Sequence, residues 1–261
     1  MKAAVPTNIK LFLKKYFWNF VFYNKIFGSS ISKNRDYLLQ VNKPTSPSNK
    51  LNIFTSSGED GILLRLINAV GCTNKKFVDI GSNDCINSNC ANLAFHHYWK
   101  GVFIEGDKNT LARGKYIYTK HFKKNINRFS FVNAIVEPNN INAIIKKVIG
   151  DEEVEVLSID LDGNDYHIWK AIDVIKPKIV VVEVQIEKGN IVFIPKYENN
   201  FELFEDDQPK GASPLSMVKL AETKGYQLVA ANNEGYNLFF VRDECMSSLK
   251  KLNLEDVLSI I

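Results

Sequence analysis

Two hydrophobic periods alternate along most of this chain. Over 59–69, Ile62, Leu63, Leu64 and Ile67 recur at helical spacing, with Val70 just beyond and Ser56-Ser57-Gly58-Glu59 ahead as an N-cap region. A short apolar run at 76–80 predicts a strand, and similar runs follow at 101–105, 128–135, 153–160 and 178–184. The last of these is the most hydrophobic stretch, as expected of a central strand covered on both faces. Helical spacing predicts helices over 89–98, 139–149 and 166–172, and another near 215–224. Two further strands, 226–230 and 237–241, lie close together around a turn at 232–235.

Repeated strand–helix units of this length imply a mainly parallel sheet with right-handed crossovers. The closing pair implies an antiparallel C-terminal hairpin. The expected fold is therefore α/β and Rossmann-like: seven strands, helices on both faces, one domain over 53–261. Ahead of it, 1–52 divides into an aromatic, lysine-rich helix at 9–27 and a polar, punctuated linker. The helix is interrupted by Lys10, Lys14, Lys15 and Asn19, and its apolar runs fall far short of the roughly 20 residues that span a bilayer. Nothing in it has the long apolar run and small-residue cleavage site of a signal peptide. Two readings stand: a helix packed on the domain or on a partner subunit in a homo-oligomer, or a basic amphipathic helix on the inner membrane surface.

Composition narrows the classes without adding to the fold. The 261 residues suit one α/β domain, and 45% hydrophobic with 24% charged residues is globular. Much of the net charge of +4 sits in the first fifty residues, leaving no broad basic face for nucleic acid. Cys72, Cys85, Cys90 and Cys245 show no paired metal-ligand spacing, and read as buried or half-buried thiols of a reducing, cytoplasmic compartment.

In an open α/β sheet, ligands bind beyond the carboxyl ends of the strands. Here those ends read Asp79-Ile-Gly81-Ser-Asn83-Asp84, Glu105-Gly-Asp107, Asn133-Ala134, Asp160-Leu-Asp162-Gly-Asn164-Asp165 and Glu183-Val-Gln185. Five acid or amide ends converging on one edge point to a site. Gly81 permits a tight turn and close ligand approach, and Glu105 is placed to accept from both hydroxyls of a ribose. A dinucleotide site pairs that acid with G-x-G-x-x-G, but this first loop has a single glycine and no pyrophosphate cradle. A nucleoside without phosphates, such as S-adenosylmethionine, asks less of the loop.

From Gly58 to Val241 the chain resembles the FkbM-like group of class I methyltransferases. The motifs are Ser57-Gly-Glu-Asp-Gly-Ile62, Phe77-Val-Asp-Ile-Gly-Ser-Asn-Asp84, Trp99-Lys-Gly-Val-Phe-Ile-Glu-Gly-Asp107, Leu157-Ser-Ile-Asp-Leu-Asp-Gly-Asn-Asp-Tyr166, and Gly225-Tyr226 with its strand. The resemblance implies S-adenosylmethionine as cofactor. Asp79, Gly81 and Asn83 would lie beside its amino-acid portion, Glu105 on its ribose, and Asn133 and Ala134 near its adenine. Ser57 and Glu59 would lie on the cofactor side as well, with Asp160 toward the ammonium. Cys85 departs from the pattern, where related sequences often carry glycine. The family often methylates sugar hydroxyls, so a nucleotide-linked sugar or a surface glycan is the expected acceptor.

A sugar hydroxyl is a poor nucleophile at neutral pH and needs a base or a metal. Asp160 or Asp162 can act as base, with His167 nearby. Alternatively Asp160, Asp162 and Glu183 hold a Mg²⁺-like ion by hard oxygen ligands. In a purely structural reading, Asp162 and Asp165 cap the next helix. His96 and His97 point to different helix faces, so one is expected to pack and one to be exposed. The aromatic and acidic interval 187–211 reads as a solvated loop or a lid. Two other functions remain: a non-catalytic, degenerate nucleoside-binding module, and an N-methyltransferase on a small amine.

Overall fold

The computed structural model describes residues 51–197, 211–246 and 249–259. The expected N-terminal helix and most of the linker lie outside these residues, as does the middle of the 187–211 interval. Leu51 and Asn52 already belong to the packed domain: Leu51 is buried, and the Asn52 side chain accepts from the Gly58 amide at 2.6 Å.

In chain order the elements are α1 (Glu59–Val70), β1 (Lys76–Ile80), α2 (Ala91–His96), β2 (Lys100–Glu105), α3 (Lys108–Phe122), β3 (Phe129–Asn133), α4 (Ile141–Ile149), β4 (Val156–Ile159), α5 (Asp165–Ala171), β5 (Ile179–Glu183), α6 (Pro214–Thr223), β6 (Tyr226–Ala231), β7 (Asn237–Arg242) and α7 (Leu254–Leu258). The strands form one sheet in the order β3-β2-β1-β4-β5-β7-β6. Every pairing from β3 to β5 is parallel, whereas β7 runs antiparallel between β5 and β6. This is the Rossmann-like, mainly parallel sheet with a reversed C-terminal hairpin that the periodicity predicts.

Side chains alternate across each strand, so each face has its own packing. On one face Val78, Ile80, Val102, Ile104, Leu157, Ile159, Val180 and Val182 join Ile145 of α4, Trp169 of α5 and Met217 of α6 in a continuous core. The other face carries aromatics. Phe103 packs edge-on against Phe77 and against Tyr118 of α3, with ring centroids 5.1 and 5.2 Å away. Gly101 makes room for this arrangement, because a Cβ there would lie 2.2 Å from the Phe77 ring.

The sequence reading contains no element over Lys108–Phe122, yet that segment is the longest helix described. Only Leu111, Gly114, Ile117 and Tyr118 of its fifteen residues are buried, so its apolar stripe is thin. The available signal is its start: the Asp107 side chain caps it by accepting from the Thr110 amide at 2.6 Å.

Candidate functional site

The site edge is built where β1 is clamped between β2 and β4. The Gly81 and Ser82 amides both donate to the Ile104 carbonyl, at 3.0 and 3.1 Å, and the Asp160 amide donates to the Ile80 carbonyl. Gly81 has φ +75°, and a Cβ there would meet the Asp160 carbonyl oxygen at 1.7 Å. Only glycine fits this joint, which brings the first loop against the β4 loop. Cys85 takes φ +58°, a left-handed conformation that glycine adopts without strain. The departure at Cys85 therefore alters the residue while the loop keeps a glycine-like turn.

Glu105 ends β2 half-buried. Its two carboxylate oxygens accept from the Asn83 amide at 2.8 Å and the Asp107 amide at 2.7 Å. A carboxylate has about four acceptor positions, so this clamp fixes the group and leaves capacity for a diol. Asn133 spends its amide nitrogen on the Glu105 and Gly106 carbonyls, at 2.9 and 2.8 Å, tying β3 to the same corner. Beside it Ile135 is 69% exposed, next to the position a Gly106 Cβ would take. An exposed isoleucine beside a backbone glycine is a surface on which a flat ring can rest, and it is absent from the sequence-level candidates. No helix starts directly after β1. The loop instead folds over Asp84, which accepts from the Ile86 and Asn87 amides, and α2 begins only at Ala91.

Asp79 is placed beneath this edge. It is 2% exposed, it accepts from Ser88 Oγ, and Ser158 of β4 also bonds it. Burial pushes its carboxyl up to about 7, partly offset by these two hydroxyls. Ser57 and Glu59 are likewise buried, and their partners lie in the β6–β7 hairpin. Glu59 Oε1 accepts from Asn232 and Asn237, Glu59 Oε2 accepts from the Ser57 amide, and the Tyr236 hydroxyl donates to Ser57 Oγ.

The second half of the edge is acidic. Asp160, Asp162 and Glu183 each offer a carboxylate oxygen, and these atoms lie within 4.8 Å of one another; it is the only such group among the described residues. Asp160 and Glu183 stand side by side at the ends of β4 and β5, with carboxylate oxygens within 4.8 Å of one another. Burial first, and then the surrounding carboxylates, raise both groups well above the usual range. Asp162 is exposed and held at φ +53° in the left-handed region. Asp165, 1% exposed, accepts from the Leu161 and Gly163 amides at 2.8 and 3.0 Å. It thus ties the loop ahead of α5 to itself, whereas the structural reading of that motif expects Asp162 and Asp165 to cap the helix.

His167 is turned elsewhere. Its Nε2 lies 2.7 Å from the Pro195 carbonyl and its ring contacts Tyr197, so Nε2 carries a proton and the side chain anchors the segment after β5. That bond occupies Nε2 and makes it a donor to the backbone, whereas the sequence reading places His167 beside the base, Asp160 or Asp162. The described part of the 187–211 interval is stapled to α6 as well, with Ser213 and Ser216 side chains accepting from the Phe193 amide. His96 and His97 are both half-buried, where one was expected exposed. Burial lowers both, His97 to about 4. Cys85 and Cys90 are buried, Cys72 and Cys245 half-buried.

A cavity of about 470 Å³ opens beside Glu183, between the end of β5 and the β6–β7 turn. Its polar lining includes Gln185, Glu187, Glu234 and Tyr236. Of these only Gln185 ends a strand in the sequence reading; Glu234 and Tyr236 come from a turn whose position over the site depends on β7 pairing with β5. No helix among the described residues is long and apolar enough to cross a membrane.

No family model matches the chain, and no curated protein matches it. Solved structures do. The chain is similar to an O-methyltransferase from Bacillus cereus in complex with SAH, at 13% identity and TM-score 0.48, covering 84% of this chain and 93% of that one. It is similar to the CcbJ methyltransferase from Streptomyces caelestis at 11% identity and TM-score 0.44, covering 70% and 88%. A third is the M1A22 tRNA methyltransferase TrmK of B. subtilis, at 13% identity and TM-score 0.39, covering 67% and 63%.

Proposed function

We propose that this chain is an S-adenosylmethionine-dependent O-methyltransferase acting on a hydroxyl of a sugar. The observation that carries the cofactor assignment is a clamped carboxylate at the end of β2, Glu105, facing a first loop that leads into no helix. A dinucleotide would need a helix N-terminus there for its pyrophosphate, whereas a nucleoside needs only the diol acceptor. In this reading Glu105 accepts from the ribose, Gly81 and Asn83 lie along the amino-acid portion, and Asn133, Ala134 and Ile135 border the adenine. The cofactor, when bound, supplies a methyl group on a sulfonium.

The chain's own task is then to align the acceptor and take its proton. Asp160, Asp162 and Glu183 are the groups for it. Burial and the neighbouring carboxylates raise Asp160 and Glu183 well above the usual range, so the cluster favours taking up a proton. Asp162, exposed in the same group, is the carboxylate free to accept a proton from a hydroxyl. The three oxygens also fit a Mg²⁺-like cation, since they are hard donors gathered within 4.8 Å. Such an ion would offset the cluster's negative charge and acidify the bound hydroxyl.

Calorimetry with S-adenosylmethionine and S-adenosylhomocysteine, with and without Mg²⁺, tests the reading, followed by transfer of labelled methyl to sugar acceptors. Wild-type protein is expected to bind both ligands, and Glu105→Gln to bind them about tenfold more weakly or worse. Asp160→Asn and Asp162→Asn are expected to keep cofactor binding and lose turnover. Full turnover in both variants would remove the carboxylate cluster from the reaction. No cofactor binding by wild-type protein would sink the whole reading.

A further inference from the structure

Much of the net charge lies in the first fifty residues, yet the domain carries a basic stretch of its own. Over 108–136 the chain has seven lysines and arginines and no aspartate or glutamate. α3 turns Leu111, Gly114, Ile117 and Tyr118 to the sheet, so its opposite side faces water. That side presents Lys115, Tyr116 and Lys120, and the turn after the helix adds Lys123 and Lys124; all five are exposed. Among the described residues no ion pair reaches any of these lysines. Two rings stand in the same surface. Tyr116 is 54% exposed under the Lys120 ammonium, which lies 5.5 Å from the ring centroid. Tyr98 is 80% exposed, and the Arg128 guanidinium lies 5.9 Å from its ring and 4.8 Å from that of Phe122, the last residue of α3. Tyr98 also has φ +62°. In that left-handed region asparagine or glycine is the less strained choice, and an exposed ring returns nothing to the fold.

Four such lysines on a convex helix side call for an anionic partner of matching shape. A single nucleic-acid strand is held in a basic groove, where arginine forks suit its phosphates. This face is one side of a helix, and its exposed cations are lysines. A bilayer surface offers phosphates at any register, and takes tyrosine at its interface with the ring inward and the hydroxyl in water. We propose that the outer side of α3, with Tyr98 at its far end, rests on an anionic membrane surface. The lysines lie over headgroup phosphates and the two tyrosines sit between the headgroups. Because α3 starts at Lys108, just past Glu105, the helix that makes the contact begins beside the candidate site. The contact stands whether or not that site transfers methyl groups.

The test is co-sedimentation of the full chain with phosphatidylcholine vesicles and with vesicles of equal parts phosphatidylcholine and phosphatidylglycerol. Binding is expected to the anionic vesicles only. Replacing the four lysines together (Lys115→Gln, Lys120→Gln, Lys123→Gln, Lys124→Gln) should weaken it about a hundredfold. Tyr98→Asn with Tyr116→Ser should weaken it several-fold. Every replaced side chain is exposed, so both variants should keep the wild-type thermal midpoint. No binding to the anionic vesicles, equal binding to both kinds, or anionic binding that either variant leaves unchanged overturns the proposal. So does single-stranded oligouridylate that binds more tightly than the vesicles and is lost with the same lysines, which would make this side of α3 a nucleic-acid face.

Discussion

A carboxyl group sealed from water without a cation keeps its proton to higher pH than it would in the unfolded chain, and Asp79 is such a group. Burial raises it from 3.8 to about 7, with the charge on Glu105 adding to the effect. The folded state thus binds a proton that the unfolded state has already lost. The stability this group contributes is complete below its unfolded value and disappears as pH rises through about 7. Denaturant unfolding from about pH 5 to about pH 8 should show a loss of a few kcal/mol. Asp79→Asn, which keeps the shape and cannot ionise, should remove one group's share of that slope, the rest coming from Asp160, Asp165 and Glu183, which burial also raises; an unchanged slope would mean that Asp79 is ionised in the fold. At this scale Glu105, Asp160, Asp162 and Glu183 are readable from the sequence because each ends a strand, and strand ends in an α/β sheet share one edge. Ser57 and Glu59 are not readable in the same way. Their partners Asn232 and Tyr236 lie 173 and 179 residues further along the chain, beyond any local pattern.

The elements divide by how much apolar surface each one buries. Every strand is identified, usually within a residue or two, because a buried strand is a compact apolar run. β3 and β4 are shorter than their predicted runs: β3 stops at Asn133 where its run continues to 135, and β4 begins at Val156 where its run begins at 153. α3 is missing from the periodicity because it covers the sheet with four buried residues, one of them a glycine. That glycine decides how the helix docks. A Cβ on Gly114 would lie 2.3 Å from the Asp84 carbonyl oxygen, a backbone atom of the first loop. Alanine is the better helix former by about 1 kcal/mol, so propensity alone favours Gly114→Ala. The clash should win, with a net loss of about 1–3 kcal/mol. Thermal unfolding measures the sign directly, and a raised midpoint would show that the loop yields. Because Asp84 belongs to the loop beside Glu105, the same variant should also weaken binding of S-adenosylhomocysteine.

Across the whole molecule, the start of α1 is fastened to the final hairpin through one buried carboxylate. Glu59 is 2% exposed and collects two side-chain amides and a backbone amide. Removing it in Glu59→Ala strands three donors, so the loss should be about 2–4 kcal/mol. Equilibrium unfolding in urea should show a lower midpoint; a change below about 0.5 kcal/mol would mean that water replaces the carboxylate at this joint.

The position of β7 in the sheet also sets an order of events. It is the last strand along the chain, yet it lies inside the sheet, with Asn237 in register beside Glu183. While the chain emerges from the ribosome, β1 to β5 can pair as they appear, and the corner around Glu105 can close with them. The acidic side has to wait, because the hairpin that walls its cavity is made some fifty residues after Glu183. On the proposed methyl-transfer reading, a nascent chain halted before Asn237 would therefore bind the cofactor before it could bind an acceptor.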